Sequence, residues 1–140
     1  MLWSPWVHVT AQAAQDYTNS KHADIDVLAP ELLQWGVDDY FPKCGPSNEV
    51  IPYISPLHHA FKTRVPFFVH TGAAEALYET NQEFAQEMAG LNGQDRVKLH
   101  ETEGAWHDLI YSDKGLGMEE QLRVALEDAR ELFLQHSSRN

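Results

Sequence analysis

Cysteine is nearly absent from this chain: Cys44 is the only one in 140 residues. A lone thiol excludes an internal disulfide and suits a reducing compartment, so a cytoplasmic location is expected. Basic residues are also scarce, with 10 Lys and Arg against 21 Asp and Glu and a formal charge of −11. Such a field repels phosphate backbones and anionic membrane surfaces, which argues against a nucleic-acid partner. Long apolar runs are missing as well, so no membrane span is expected. Met1 is followed by Leu-Trp-Ser-Pro-Trp, where a secretory signal would carry a basic stretch and then an apolar one. No internal repeat or low-complexity segment interrupts the chain.

What is present is enough apolar material, 43% of residues, to bury the core of one domain spanning 1–140. Leu2 and Trp3 read as the tail of a strand. Residues 7–26 are polar and small and read as a loop with one short helical turn near Ala11 to Ala14, too poor in apolar residues for a core element. Pro30 can open a short helix, with Val27, Leu28, Leu32, Trp35 and Val37 on a shared face and an end near Gly36. The proline-rich stretch from Phe41 to Leu57 is expected to be extended and irregular.

The strongest strand signal is Val65 to His70, a continuous apolar run of the kind buried on both faces of a parallel sheet. Small residues at 71–74 suit a tight turn into a helix carrying Leu77, Phe84, Ala85, Met88 and Leu91 on one stripe, closed by Asn92-Gly93. Residues 97–101 alternate like a strand near a sheet edge. A loop is expected from Glu103 to Gly117. A last helix, Met118 to His136, carries Met118, Leu122, Ala125, Leu126, Ala129, Leu132 and Phe133 inward and a Glu119/Arg123 pair outside. Strand, helix, strand, helix is an α/β pattern with parallel strands.

Two chemistry-bearing residues follow the two strand ends, where active residues of parallel sheets collect. Glu75 follows the first and His107 the second. A carboxylate there can hold one imidazole nitrogen and leave the other to take a proton from a hydroxyl, two thirds of a Ser-His-acid triad. The plainer alternative makes Glu75 a helix-start acid stabilised by the macrodipole and His107 a surface-loop histidine. A metal site is not expected among the eight histidines. Adjacent His58 and His59 point apart, His70 and His100 read as strand residues, and no zinc-type spacing with Cys44 is present. Trp106, beside His107, can line an acyl pocket, although tryptophans more often pack in cores.

Ser4-Pro5-Trp6, Tyr53-Ile54-Ser55-Pro56-Leu57, the stretch Pro66 to Leu77 containing His70-Thr71-Gly72-Ala73-Ala74-Glu75, and Glu103-Gly104-Ala105-Trp106-His107-Asp108 together resemble the C-terminal part of the hormone-sensitive-lipase-like α/β-hydrolases. These are esterases and deacetylases, including fungal steryl acetyl hydrolase-like members. The resemblance covers nearly the whole chain in the family's order. It implies an α/β-hydrolase fold with an incomplete sheet, no cofactor, and an ester as substrate of the intact fold. Glu75, in Glu75-Ala76-Leu77-Tyr78-Glu79, matches the triad acid of the family's D-x-L-x-D/E turn, and His107 matches the triad histidine. Many members carry glycine after that histidine, where this chain has Asp108. Many also carry an acid two positions after Ser-Pro-Trp, where this chain has His8.

The same resemblance exposes a gap. Neither the nucleophile elbow, G-x-S-x-G, nor an HGG-type oxyanion motif occurs. Ser4, Ser20, Ser47, Ser55, Ser112, Ser137 and Ser138 all lack the flanks. The expectation is therefore a partial domain, inactive alone, that packs against an N-terminal half carrying the nucleophile or else self-associates. Two alternatives stand beside it. One is a non-catalytic binding or regulatory module. The other is a small hydrolase with Cys44 or Ser47 as an unusual nucleophile, although the prolines around Cys44 suit an incidental thiol better.

Overall fold

The apolar run after Val65 becomes the middle strand of a parallel sheet. In the computed structural model, which describes residues 1–41 and 45–137, the strands β1 (Leu2–Trp3), β2 (Phe67–Gly72) and β3 (Val97–Thr102) lie in the order β1-β2-β3. Both pairings are parallel, with Leu2 opposite Val69 and Phe67 opposite Val97. Parallel strands need covered faces, and alternation along β2 supplies two apolar ones. Phe67 packs with Leu2, Val97 and the inward residues Phe84, Met88 and Ala89 of α4 (Tyr78–Asn92), the crossover helix between β2 and β3. Phe68 faces the other way, against Ala129, Leu132 and Phe133 of α6 (Glu119–Ser137). Among the described residues, no strand pairs with the second edge of β1.

Four further helices are α1 (Ala11–Thr18), α2 (Pro30–Tyr40), α3 (Ile51–Ile54) and α5 (Leu109–Leu116). The segment read as a core-poor loop is in fact a core element. Thr10 caps α1 by accepting the N–H of Ala13 at 3.0 Å, and Ala14 and Tyr17 are buried with Val9, Leu33 and Val37. A small alanine lets the helix lie close to α2, so two buried residues suffice where a richer stripe was sought. In α2 the inward face is Leu33 and Val37, while Val27, Leu32 and Trp35 are exposed, and the helix runs past Gly36 to Tyr40. The reason is Trp6: a Cβ on Gly36 would come within 2.6 Å of its ring, so Gly36 is the residue that lets this face dock.

Strand β2 begins two residues later than expected. Val65 stays exposed and Pro66 has no N–H for a ladder, so pairing starts with the Phe67 N–H donating to Arg96 O at 2.8 Å. On α4, Leu91 is exposed and Ala89 and Asn81 are buried instead. Part of the expected loop 103–117 is the helix α5, which turns Leu109 into the core. On α6, Leu126 is exposed, and Arg123 pairs with Glu120 and Glu127 rather than Glu119. The expected irregular connection contains the single turn α3, and Cys44 lies outside the described residues.

Candidate functional site

The turns after β2 and β3 are held against each other by backbone contacts. Ala73 N–H donates to Thr102 O at 2.9 Å and Ala74 N–H to Ala105 O at 3.0 Å. Gly72 makes that approach possible, because a Cβ there would stand 2.3 Å from Ala105 O and 2.7 Å from Trp106 O. Glu75 follows on the first turn and His107 on the second, at the carboxyl ends of adjacent parallel strands.

Glu75 is fully buried and surrounded by donors. Ser4 Oγ donates to Oε2 at 2.6 Å, Thr71 Oγ1 to Oε1 at 2.6 Å, and Asn81 Nδ2 to Oε1 at 2.9 Å. Burial raises its pKa above the ordinary carboxylate value, and the hydrogen bonds from Ser4 and Thr71 offset only part of that rise. His107 Nδ1 lies 4.0 Å from Glu75 Oε2, just beyond hydrogen-bond length, and is buried with no hydrogen-bond partner of its own. A movement of about 1 Å would close that contact, and long acid-histidine distances are common in sites without substrate. On the far side of the ring, Nε2 lies 3.5 Å from Asp108 Oδ2, and the side chain is 19% exposed.

Two residues lock this pair from outside the two turns. Ser4, just past the end of β1, also accepts the Asp108 N–H at 3.1 Å, so one hydroxyl touches both the acid and the histidine loop. Asp26 joins the same two loops through their backbones, accepting Ala76 N–H at 2.6 Å on Oδ2 and His107 N–H at 3.1 Å on Oδ1. Ser4 and Asp108 both hold left-handed φ values, 40° and 55°. Non-glycine residues keep such backbones only where their surroundings enforce them. Asp108 stands where the resembled family often has glycine, and aspartate is among the residues that tolerate this conformation.

The sequence singled out Glu75 and His107, and the fold brings them together. Ser4, Thr71, Asn81 and Asp26 were not read as part of the site. Asn81 left a signal, a polar residue at the buried phase of the α4 stripe. Asp26 left none, because its contacts are 50 and 81 positions away along the chain. Ser47 opens the turn into α3, its carbonyl accepting the N–H groups of Val50 and Ile51, and no hydrogen bond joins it to His107. Trp106 is half-buried.

Three of the other histidines, His70, His100 and His58, lie in two separate clusters. His70 stacks between Trp3, at 4.4 Å, and His100, at 5.8 Å, with Nε2 2.9 Å from Thr102 Oγ1. Burial pushes its pKa down to about 3, so the ring is neutral at ordinary pH and packs as a core residue. His100 in turn meets Asp128 of α6 at 2.7 Å, beside the Lys98–Asp128 ion pair. His58 is different and lies over Glu83 and Glu87.

Parallel strands with helices on both faces define an α/β architecture, and an acid and a histidine stand near each other on the turns that leave two of them, a candidate site at the mouth of the sheet. The chain belongs to the alpha/beta hydrolase fold family, which matches residues 1–111, from β1 into α5. This agrees with the resemblance to the hormone-sensitive-lipase-like branch. No curated protein and no solved structure matches the chain. No helix among the described residues is long and apolar enough to cross a membrane.

Proposed function

We propose that this chain is the acid-and-histidine portion of a carboxylic ester hydrolase, inactive alone and completed by a separate portion that carries the serine nucleophile and the oxyanion donors. The observation that carries the reading is the orientation of His107. Its Nδ1 is turned toward a buried, hydrogen-bonded Glu75, and its Nε2, now 3.5 Å from Asp108 Oδ2, is the nitrogen that would meet a reacting hydroxyl once the Asp108 side chain swings aside. Glu75 orients the imidazole and stabilises its charged form; His107 takes the proton from the serine and returns it to the leaving alcohol. Ser4 is not that serine, because its hydroxyl is buried and donates to the acid.

The unpaired edge of β1 supports the same reading. A further parallel strand on that edge, about 4.8 Å away, would end beside Ser4 and so beside the histidine loop, where a nucleophile turn is needed. Next to β1 lies an apolar cleft of about 530 Å³ lined by Leu2, Trp6, Tyr53, Phe61, Phe67 and Phe84, which suits a helix following such a strand.

The test is hydrolysis of p-nitrophenyl acetate by the purified chain, alone and co-expressed with a separate polypeptide that carries the G-x-S-x-G strand and turn of an alpha/beta hydrolase. Hydrolysis is expected only from the pair, and its loss is expected in Glu75→Ala and in His107→Ala. Turnover by the chain alone that survives His107→Ala would overturn the proposal.

A further inference from the structure

Glu83 and Glu87 stand one helical turn apart on the outer face of α4, a spacing that sets two side chains next to each other. The segment after α3 lays His58 across them. Nδ1 of His58 is 2.9 Å from Glu87 Oε1 and 3.8 Å from Glu83 Oε1, and one donor atom from each of the three residues lies within 4.8 Å of the other two. The pose of His58 is fixed by more than its ring. Its backbone N–H donates to Glu87 Oε2 at 2.9 Å, and its φ of 65° folds the side chain back over the helix. A second imidazole, His8 from the loop after β1, stands edge-on with its ring centre 6.2 Å from that of His58. The cluster thus gathers two carboxylates and one imidazole from two separate parts of the chain, with a second imidazole nearby. Nothing in the acid–histidine site uses it.

We propose that His58, Glu83 and Glu87 form a binding site for a divalent metal ion of the zinc class, with a fourth position that the neighbouring His8 would reach only by turning its ring toward the ion. Zinc bonds of about 2.0–2.2 Å place tetrahedral donors roughly 3.3–3.6 Å apart, so His58 Nδ1 and Glu87 Oε1, now 2.9 Å apart, would open slightly while Glu83 closes in from 3.8 Å. A mixed nitrogen and oxygen set selects zinc, copper or nickel over magnesium and calcium, which take nearly all-oxygen shells. His8 Nε2 lies 3.3 Å from Thr10 Oγ1, a hydrogen bond that holds its ring beside the cluster without placing it among the three donors. Two glutamates on one helix face repel each other, and a dication neutralises both. The bound ion would fasten the segment after α3 to α4. This inference is independent of the esterase reading, since it neither needs nor touches Glu75 and His107.

The experiment titrates the full chain with zinc chloride in competition with a chromophoric chelator, with thermal melts alongside. One ion per chain is expected, with a rise in melting temperature that magnesium does not produce. Glu83→Gln alters an exposed side chain and leaves the His58–Glu87 tie intact, so it tests the site without risking the fold. It and His58→Ala are each expected to weaken zinc binding at least about tenfold, and His8→Ala by a smaller factor. Failure of the parent chain to bind zinc, or unchanged affinity in Glu83→Gln and His58→Ala, would overturn the proposal by assigning any bound ion to other histidines. Unchanged affinity in His8→Ala alone would remove His8 from the ligand set.

Discussion

At the scale of single residues, the site rests on a carboxylic acid placed where water cannot reach it. Removing a carboxylate from water is costly, and three side-chain donors reduce that cost without cancelling it, which is why the pKa of Glu75 ends above its ordinary value of 4.5. A carboxyl whose folded pKa exceeds its unfolded one favours the fold while it is protonated. Its contribution is fully present below about 4.5 and is lost as pH rises through the raised value, because the unfolded chain then releases the proton more readily. Glu75→Gln cannot titrate and keeps its shape. Urea unfolding at about pH 4 and about pH 7 should therefore show the variant gaining stability relative to the parent as pH rises. A gap that moves the other way would mean that the hydrogen bonds outweigh desolvation and that the ionised form is the one the fold prefers.

At the scale of elements, what matters is how closely two turns approach. Gly72 ends β2 directly beneath the carbonyls of Ala105 and Trp106, and the added methyl of Gly72→Ala would meet the first of them at 2.3 Å. Backbone cannot rotate aside as a side chain can, so the histidine loop must lift from the acid loop. A cost of about 1–3 kcal/mol is expected, with a lower urea midpoint and a displaced His107 imidazole resonance. Gly90→Ala, inside α4 where a Cβ meets nothing within 4 Å, is the contrast: it should leave the His107 resonance in place and raise the urea midpoint, since alanine is favoured over glycine in a helix by about 0.5–1 kcal/mol. This level is also where sequence reading met its limit. Period and composition located β2, β3, α4 and α6, because a buried strand and an amphipathic helix each write their environment into local spacing. The phase of α2 was misread because it depends on Trp6, 30 positions before Gly36, and α1 was dismissed because its partners Leu33 and Val37 lie on another helix. The site divides in the same way. Glu75 and His107 were legible from their places after strands and from the family resemblance, whereas Asp26 shares no motif with the loops it joins.

At the scale of the whole molecule, two opposing forces act on the free chain. Among the described residues no strand covers the second edge of β1, and beside it lie the apolar cleft and large exposed side chains such as Tyr53 at 87%, Tyr40 at 63% and Phe61 at 45%. A strand edge flanked by apolar surface is a template for pairing with another chain. Against this stands a net charge of −11, which keeps copies apart at long range. Only the repulsion is screened by salt, since the Debye length shrinks from roughly 30 Å at 0.01 M to about 3 Å at 1 M while apolar contacts persist. Light scattering on the purified chain should accordingly find small species at low ionic strength and growing assemblies as salt is added. A charged substitution at the cleft, Tyr53→Glu, should suppress that growth without lowering the urea midpoint, because the Tyr53 side chain is almost fully exposed. A monodisperse, cooperatively melting monomer at every salt concentration would instead mean that the β1 edge is satisfied as it stands, which would count against a missing half and favour a self-contained binding module.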